Sequence, residues 1–590
     1  MKLRKISVEN VRSFLGREEL LVDGDMSILI GPNGGGKPNL LDIAANTIKR
    51  HLSRSWLVKP EDNPAPGLSR LQFFENNELR MAFPKHRDGA ALEQIIEITV
   101  EATTQDVKNI KQMIKGVEEL REVSKRQFSN ATTDFTASWT PNAIKARNQF
   151  TYTIRNNSLE GVQAAAEIFR QYLTFFEMYS RMRAEANLST IPTPFVYLPV
   201  LRGQAGISTS ATLHGYNEEA YKRPLDAASS KTAPSYSNLV IHRLAQIHRR
   251  LELSDGTQRK FNKDPIVVEL REALQRLGYG FEFTLKDLNT NQYVMSFSKA
   301  GKSFSVEDAS SGERELLSYV FAIYGLQVKD GLVFVDEPEL HLHPRWQQTL
   351  LQLFYDLSTT TRNQFVMATH SPAFISPSSI SYVSRVFNTQ GSSKIVRLND
   401  AQLPLRKNLF SIVNSQNNER IFFADKVVLV EGISDRIFFE AVGKHFNMFV
   451  STEPTCEVID VGGKNFFASY EKILNACKVP YAKIADRDYC IQLGDASIKA
   501  TFESDHKTIK KTATNEQLIA LRAFIKKKSN EGIFILTEGT LENYLPSPYQ
   551  SKNVENIIKL TTRDNFWSLI PTMLKREIET ITRSALKIEP

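Results

Sequence analysis

Ile28-Leu29-Ile30-Gly31-Pro32-Asn33-Gly34-Gly35-Gly36-Lys37 is the stretch on which the fold turns. Its three apolar residues close a β-segment expected over Glu19–Ile30, a glycine-rich turn follows, and Leu40–His51 carries helical spacing. A strand, a GxxxxGK turn and a helix in that order let glycine N–H groups wrap phosphates while the lysine adds a positive charge. Asn33, Gly34, Gly36, Lys37 and Asn39 are therefore candidates for nucleotide binding, with a plain surface turn as the competing reading.

Three further pieces bear on that choice. The run Leu332–Val335 is too short for a helix, suits a buried parallel strand and ends in Asp336-Glu337-Pro338. Asp336 can hold Mg²⁺ through water and Glu337 can polarise an attacking water. Upstream, Ala309-Ser310-Ser311-Gly312-Glu313 offers hydroxyls and a glycine at a helix start, which alone would be an N-cap. Downstream, His370 stands just beyond the apolar strand Gln364–Met367, where it can sense a γ-phosphate.

In this order the pieces resemble the ABC-type ATPase heads of the recombination and chromosome-maintenance class. GPNGGGK resembles their Walker A, SSGE their signature, LVFVDEPELHLHP their Walker B with its aspartate loop, and ATHSP their switch histidine. The resemblance implies that two heads sandwich ATP, Ser311 and Gly312 of one completing the site of the other, and hence a homodimer. One position departs from the pattern: Pro38 stands where Walker A has Ser or Thr, without a hydroxyl for Mg²⁺ or an N–H for phosphate. Proline also disfavours the helical conformation at Lys37, so slow or absent ATP hydrolysis is expected.

A second constellation lies late in the chain. Val427-Val428-Leu429-Val430-Glu431-Gly432-Ile433-Ser434-Asp435 ends a strand in a glutamate, and Ile484-Ala485-Asp486-Arg487-Asp488 ends another in two aspartates. Alternate residues leaving a strand project to one side, so Asp486 and Asp488 can reach one metal. If the two strands are parallel neighbours, Glu431 joins them at the same edge. Converging carboxylates repel unless divalent cations lie among them, which suggests Mg²⁺ or Mn²⁺ and phosphodiester chemistry. Asp435 is included in the metal set. Together these residues resemble a Toprim domain, with Gly462-Gly463-Lys464 as an intermediate turn; the resemblance makes Glu431 a metal ligand or proton-transfer group.

An ABC-type head followed by Toprim is similar to the OLD (overcoming lysogenization defect) family of nucleases. That resemblance implies a late acid, matched by Glu542 as metal ligand and catalytic group with Glu538 as runner-up, and a basic residue, for which Lys575 is the candidate. The fold class expected is α/β: an ABC-type ATPase head at 1–100 and 191–400, a helical dimerisation insert at 101–190, and a Toprim domain with C-terminal helical elements at 420–590.

The remaining sequence is consistent with this. The 590 residues carry 74 Lys+Arg against 66 Asp+Glu, a balance of +8 that permits nucleic acid without demonstrating it. No apolar run approaches the length of a spanning helix, and the opening residues lack a signal peptide's apolar region, so no membrane association and a cytoplasmic location are expected. Cys456, Cys477 and Cys490 read as ordinary thiols. Two amphipathic helices are expected near 104–126 and 159–187, further helices near 239–252 and 265–277, strands near 281–285 and 292–298, and loops at Glu61–Gly67 and 203–237.

The resulting reading is a DNA endonuclease cutting with two divalent metals, regulated by ATP at a dimerised head, in bacterial defence against phage. The resemblance suggests a helicase or a retron reverse-transcriptase/msDNA complex as partner. The rival from another class is a nucleotide-dependent DNA-binding scaffold. A topoisomerase or primase is a lesser rival, since the chain offers neither a placeable tyrosine-nucleophile domain nor a CxxC zinc module.

Overall fold

Apolar runs without alternation form strands buried on both faces, and several such runs carry the fold. The computed structural model describes residues 1–53, 83–127, 143–185, 191–198, 200, 210–212, 236–252, 257–287, 292–304, 309–398, 403–404, 406–413, 418–449, 455–505, 507–551 and 553–587. The chain divides into two units, one of residues 1–29, 36–374 and 391–395, the other of 30–35, 375–390 and 396–590.

Through residue 374 the elements used below are β1 (Lys2–Glu9), β2 (Glu18–Leu21), β3 (Met26–Ile30), α1 (Lys37–Thr47), β4 (Ile95–Glu101), α2 (Thr104–Gln127), β5 (Gln149–Arg155), β6 (Ser158–Leu159), α3 (Ala164–Glu185), β7 (Thr193–Leu198), β8 (Ser210–Thr212), β9 (Tyr279–Asp287), β10 (Gln292–Lys299), β11 (Lys302–Phe304), β12 (Val328–Asp336) and β13 (Gln364–Ala368). Four of these, in the order β3-β13-β12-β7, are parallel. Every residue of β3 and β13 is buried, as their unbroken apolar runs require. An antiparallel sheet runs β2-β1-β4-β5-β6, and β8 to β11 form a small antiparallel sheet of their own. The helices Tyr236–Glu252 and Pro265–Arg276 fall where their spacing placed them.

The region 101–190, expected to be helical throughout, is not. Helices α2 and α3 are present, but β5 and β6 stand between them. In β5 the alternation of Phe150, Tyr152 and Ile154 buries one face, and the strand pairs with β4 from Ile95↔Arg155 to Glu101↔Gln149. A buried hydroxyl ties the two helices: Tyr172 Oη donates to Asp106 Oδ1 at 2.9 Å and accepts from Asn109 Nδ2 at 3.0 Å. The loop expected at Glu61–Gly67 and most of that at 203–237 lie outside the described residues.

The rest of the chain adds β14 (Val383–Thr389), β15 (Ser392–Arg397), β16 (Lys426–Val430), β17 (Cys456–Asp460), β18 (Tyr481–Ala485) and β19 (Ile533–Ile535). The last four form an all-parallel sheet in the order β17-β16-β18-β19. Helices Ile433–His445 and Phe467–Ala476 make the first two crossovers, and the longer connection to β19 contains the helix Asn515–Asn530. The three cysteines are free and buried, and burial pushes each thiol up to about 12. Among the described residues no helix is long and apolar enough to cross a membrane.

A buried side chain ties the segment 375–390 to carbonyls just ahead of β16 and β18. Arg385 on β14 is 1% exposed, and its guanidinium donates to the carbonyls of Phe422 (3.2 Å), Ala424 (2.8 Å) and Cys477 (3.1 Å) while stacking over Phe387. Burial pulls it down to about 10, so it remains charged at neutral pH. Replacing it with Met would strand those carbonyls, because buried acceptors without donors cost about 1–3 kcal/mol each. Arg385→Met is expected to lose about 2–4 kcal/mol of stability, and Arg385→Lys to lose a large part of that because an ammonium lacks the planar fork. Urea unfolding followed by circular dichroism measures both; an unchanged midpoint for the Met variant would remove this account of the segment's attachment.

Candidate functional site

Asp336, Glu337 and His370 stand at the carboxyl ends of the parallel strands β12 and β13, the usual edge for ligands in an α/β sheet. Gly34 (φ 69°) and Gly36 (φ 103°) take left-handed conformations that suit glycine, and α1 begins at once with Lys37, which is buried. This corrects one expectation. Pro38 does not keep Lys37 out of the helix; it occupies the second helical position, where a missing N–H breaks no intrahelical bond. Asn33 and Gly34 are exposed, and Asn39 donates its side-chain amide to Ser13 Oγ at 3.0 Å.

Asp336 is the last residue of β12 and pairs with Ala368 of β13, so Glu337 and His370 leave neighbouring strand ends together. His370 Nε2 lies 3.9 Å from Glu337 Oε1, and Tyr197 Oη donates to Asp336 Oδ2 at 3.4 Å. Burial first, and the charge of Lys37 second, push His370 down to about 4. Its imidazole is neutral at pH 7, and because the unfolded chain takes up that proton near 6.5, the folded state gains stability as pH rises between these values. The backbone N–H of His370 donates to Glu339, whose buried carboxyl is pushed up by desolvation; Glu339 lies within the quoted LVFVDEPELHLHP stretch but was not singled out there.

Ser311 and Gly312 open the helix Ser311–Gly325, with Gly312 placed against Leu342 and Trp346. Ser310 is its N-cap, in a capping box with Glu313. Burial works against ionisation of Glu313, yet Lys299, Tyr279 and Ser310 hold its carboxyl down at about 2.

The second constellation is assembled by four loops at the carboxyl ends of the second sheet. They line an open pocket of about 370 Å³: Glu431 follows β16, Gly462 to Phe466 follow β17, Asp486, Asp488 and Lys507 follow β18, and Thr540 and Glu542 follow β19. Parallel pairing of Val430 with Ile484 puts Glu431 beside Asp486, and Glu431 Oε1 accepts the Asp486 N–H at 3.2 Å. Asp486 Oδ1 in turn accepts the Leu541 N–H at 3.1 Å, which draws the loop bearing Glu542 to the same place. Asp488 reaches the pocket by a different route from the one expected. The strand stops at Ala485 and the chain enters a 3₁₀ turn, Arg487–Tyr489, so that helical turning and not strand alternation directs it. Lys464 Nζ donates to Asp488 Oδ2 at 2.7 Å.

Asp435, expected among the metal ligands, is not in this lining. Its carboxylate turns back to accept the Gly432 N–H at 2.9 Å, capping its own helix. Of the two late acids Glu542 lines the pocket, whereas Glu538 is exposed and its N–H bonds Tyr544 Oη. Lys575 donates to the Ser568 carbonyl and does not line the pocket; the basic residues that do are Lys464 and Lys507. No motif pointed to Lys507, which the long connection between β18 and β19 brings in, whereas Thr540 arrives on the loop that carries Glu542.

The donor set suits a hard divalent cation. Asp486 and Asp488 are buried, and Asp488 Oδ1 and Glu542 Oε2 are buried oxygens without a hydrogen-bond partner. Among the described residues no three His, Cys, Asp or Glu side chains close on one point at ligating range. The carboxylates therefore share a pocket without forming a closed cage.

The family model described as "AAA domain, putative AbiEii toxin, Type IV TA system" matches residues 26–376, and that described as "Overcoming lysogenization defect protein-like, TOPRIM domain" matches residues 422–488. The OLD nuclease of Thermus scotoductus is 25% identical over 233 residues, 37% of this chain and 43% of the relative. Endonuclease GajA of Bacillus cereus is 26% identical over 245 residues, 39% of this chain and 38% of the relative, and the Old nuclease of Escherichia phage P2 is 25% identical over 198 residues, 32% of each. The chain thus matches less than half the length of each of these relatives. The solved SMC head domain from Thermotoga maritima aligns with 67% of this chain and 99% of its own at a TM-score of 0.30 and 13% identity. With its model covering more than half of the sequence, the chain belongs to the AAA-domain family, and Glu431, Asp486 and Asp488 fall within the stretch that the OLD-like TOPRIM model matches.

Proposed function

We propose that this chain is a metal-dependent DNA endonuclease whose TOPRIM pocket hydrolyses phosphodiesters under the control of ATP at the AAA domain. The observation that carries the reading is the delivery of Glu431, Asp486, Asp488 and Glu542 by three separate loops to one pocket, with buried carboxylate oxygens left without donors. Those four residues would hold Mg²⁺ or Mn²⁺, which when bound supplies an acidified water and charge neutralisation at the phosphate. Lys464 orients Asp488, and the Asp486 and Leu541 amides fix the directions of Glu431 and Asp486. The relatives named as nucleases support the same chemistry. The reading extends to a cytoplasmic defence role against phage alongside a helicase or retron partner.

Glu431→Ala, Asp486→Ala and Asp488→Ala are each expected to reduce plasmid nicking at least about a thousandfold, since metal positioning supplies most of such catalysis. Glu542→Ala should be severe with a trace remaining. Nicking by purified protein across Mg²⁺, Mn²⁺ and EDTA reads this directly, and wild-type cutting by the Asp486 variant would overturn the assignment. Metal-independent DNA binding with no cutting under any condition would favour a nucleotide-dependent scaffold.

At the AAA domain, Lys37, Asp336, Glu337 and His370 would bind and orient nucleotide, with Ser311 and Gly312 completing the site of a second copy. Light scattering is expected to find a dimer or higher oligomer, and monomer alone, with ATP and without, would remove the sandwiched arrangement. Because Lys37 is already helical, the defects left by Pro38 are the missing hydroxyl and the missing phosphate-facing N–H. Pro38→Thr should therefore raise ATP turnover by roughly tenfold or more, as restoring one metal ligand is worth more than about 1.4 kcal/mol at the transition state. Equal turnover in the two forms would show that the loop works without that ligand.

A further inference from the structure

The mouth of the carboxylate pocket carries a group that hydrolysis itself does not require. Lys464–Phe466 form a single 3₁₀ turn raised on Gly462 (φ 75°) and Gly463 (φ 121°), both left-handed. The two aromatic residues that follow Asn465 have opposite fates. Phe467 is buried and tilts against Tyr489 at 5.1 Å, whereas Phe466 is 42% exposed and lines the pocket. A single exposed phenylalanine means little on an ordinary surface. Here it shares a pocket with the carboxylates and with Lys507, an exposed cation on a loop whose backbone is already set. Asp505 accepts the N–H groups of Lys507 and Thr508, each at 2.9 Å, and the Thr508 hydroxyl at 2.6 Å; the Lys507 carbonyl accepts Arg487 Nη2 at 3.4 Å, tying this loop to the aspartate turn.

An aromatic face and an ammonium group beside a phosphodiester site match the two parts of one nucleotide: a base to stack and a phosphate to pair. We infer that Phe466 stacks on an unpaired base next to the scissile phosphate while Lys507 holds the adjoining backbone, so that the pocket favours single-stranded or locally melted DNA over intact duplex. The inference rests on the nuclease reading of this pocket and extends it to the form of the substrate. In a duplex each base face is covered by its neighbours, and exposing one costs a few kcal/mol that a single strand or mismatch does not incur. Lys464, the other lysine of the lining, is paired with Asp488.

The test uses the full-length chain, a fluorescent single-stranded oligonucleotide, its perfect duplex, and the duplex carrying a short unpaired bubble. Anisotropy in EDTA reads binding, and cleavage with Mn²⁺ reads KM and kcat separately. Phe466→Ala is expected to weaken binding of the single strand and the bubble roughly tenfold to a hundredfold, raising KM with kcat within a few-fold and leaving the duplex unchanged; Phe466→Trp should restore it. Lys507→Ala should weaken all three DNAs alike and lower the salt slope by about one. Equal losses on duplex and single strand for Phe466→Ala, no loss on either, or a fall confined to kcat would each overturn the stacking role. Phe466-dependent binding without cutting would keep the stacking on an unpaired base but remove the nuclease reading and with it the scissile phosphate, whereas cutting that ignores Phe466 would overturn the stacking and keep the nuclease.

Discussion

The pairing of β16 with β18 is the constraint on which the carboxylate pocket depends. Parallel register brings Val430 level with Ile484, so the first residue beyond each strand is an acid and the two acids meet. A slip of one residue would turn every side chain of β16 to its other face and separate Glu431 from Asp486. The register is protected by burial on both sides: Val427 to Val430 are all fully buried, and Val428, Val430, Ala482 and Ile484 belong to a core that includes Phe438, Phe439 and the C-terminal residues Ile578 and Ile581. The C-terminal helix Thr572–Leu586 thus supports the site from behind, although it contributes no residue to the pocket lining.

A comparable constraint governs the start of the phosphate loop. A side chain at Gly31 would meet the Val386 carbonyl at 2.0 Å, and one at Gly35 would meet it at 2.5 Å. These glycines are demanded by packing against β14 as well as by any phosphate. The residue before Val386 is Arg385, whose guanidinium is held by carbonyls just ahead of β16 and β18. Strand β14 therefore has the phosphate loop's glycines against its backbone and the base of the TOPRIM sheet around its one buried charge.

Much of this was legible in the sequence because strand ends in parallel sheets leave a local signature, an apolar run followed by an acid and a tight turn. Glu431, Asp486 and Asp336 could be named on that pattern alone. Asp488 was found for the wrong local reason, since nothing in Ala-Asp-Arg-Asp separates a continuing strand from a 3₁₀ turn. Asp435 was misplaced because a carboxylate near a helix start serves equally as a cap, and the free Gly432 N–H decided it. The strand β5 was missed although Phe150, Tyr152 and Ile154 alternate plainly, because two long helical patterns on either side dominated the reading. Lys507 and Phe466 were invisible for a different reason: what matters about them is the pocket they reach, and that is fixed by a long connection and by a turn of one residue more or less.

Charge arithmetic explains how the pocket keeps its shape. Several carboxylates facing one space would repel and tend to take up protons, yet the structure gives three of them a local counterweight. Glu431 accepts the Asp486 amide, Asp486 accepts the Leu541 amide, and Asp488 holds the Lys464 ammonium. These contacts occupy one oxygen of each named acid, while Asp488 Oδ1 and Glu542 Oε2 stay without donors. The backbone amides cannot leave with a titrating proton or with salt, so the directions of Glu431 and Asp486 are fixed before any cation arrives. Among the contacts named, the one between Lys464 and Asp488 is a side-chain ion pair that can rearrange, so the position of Asp488 can respond to a metal with Lys464 accommodating the change.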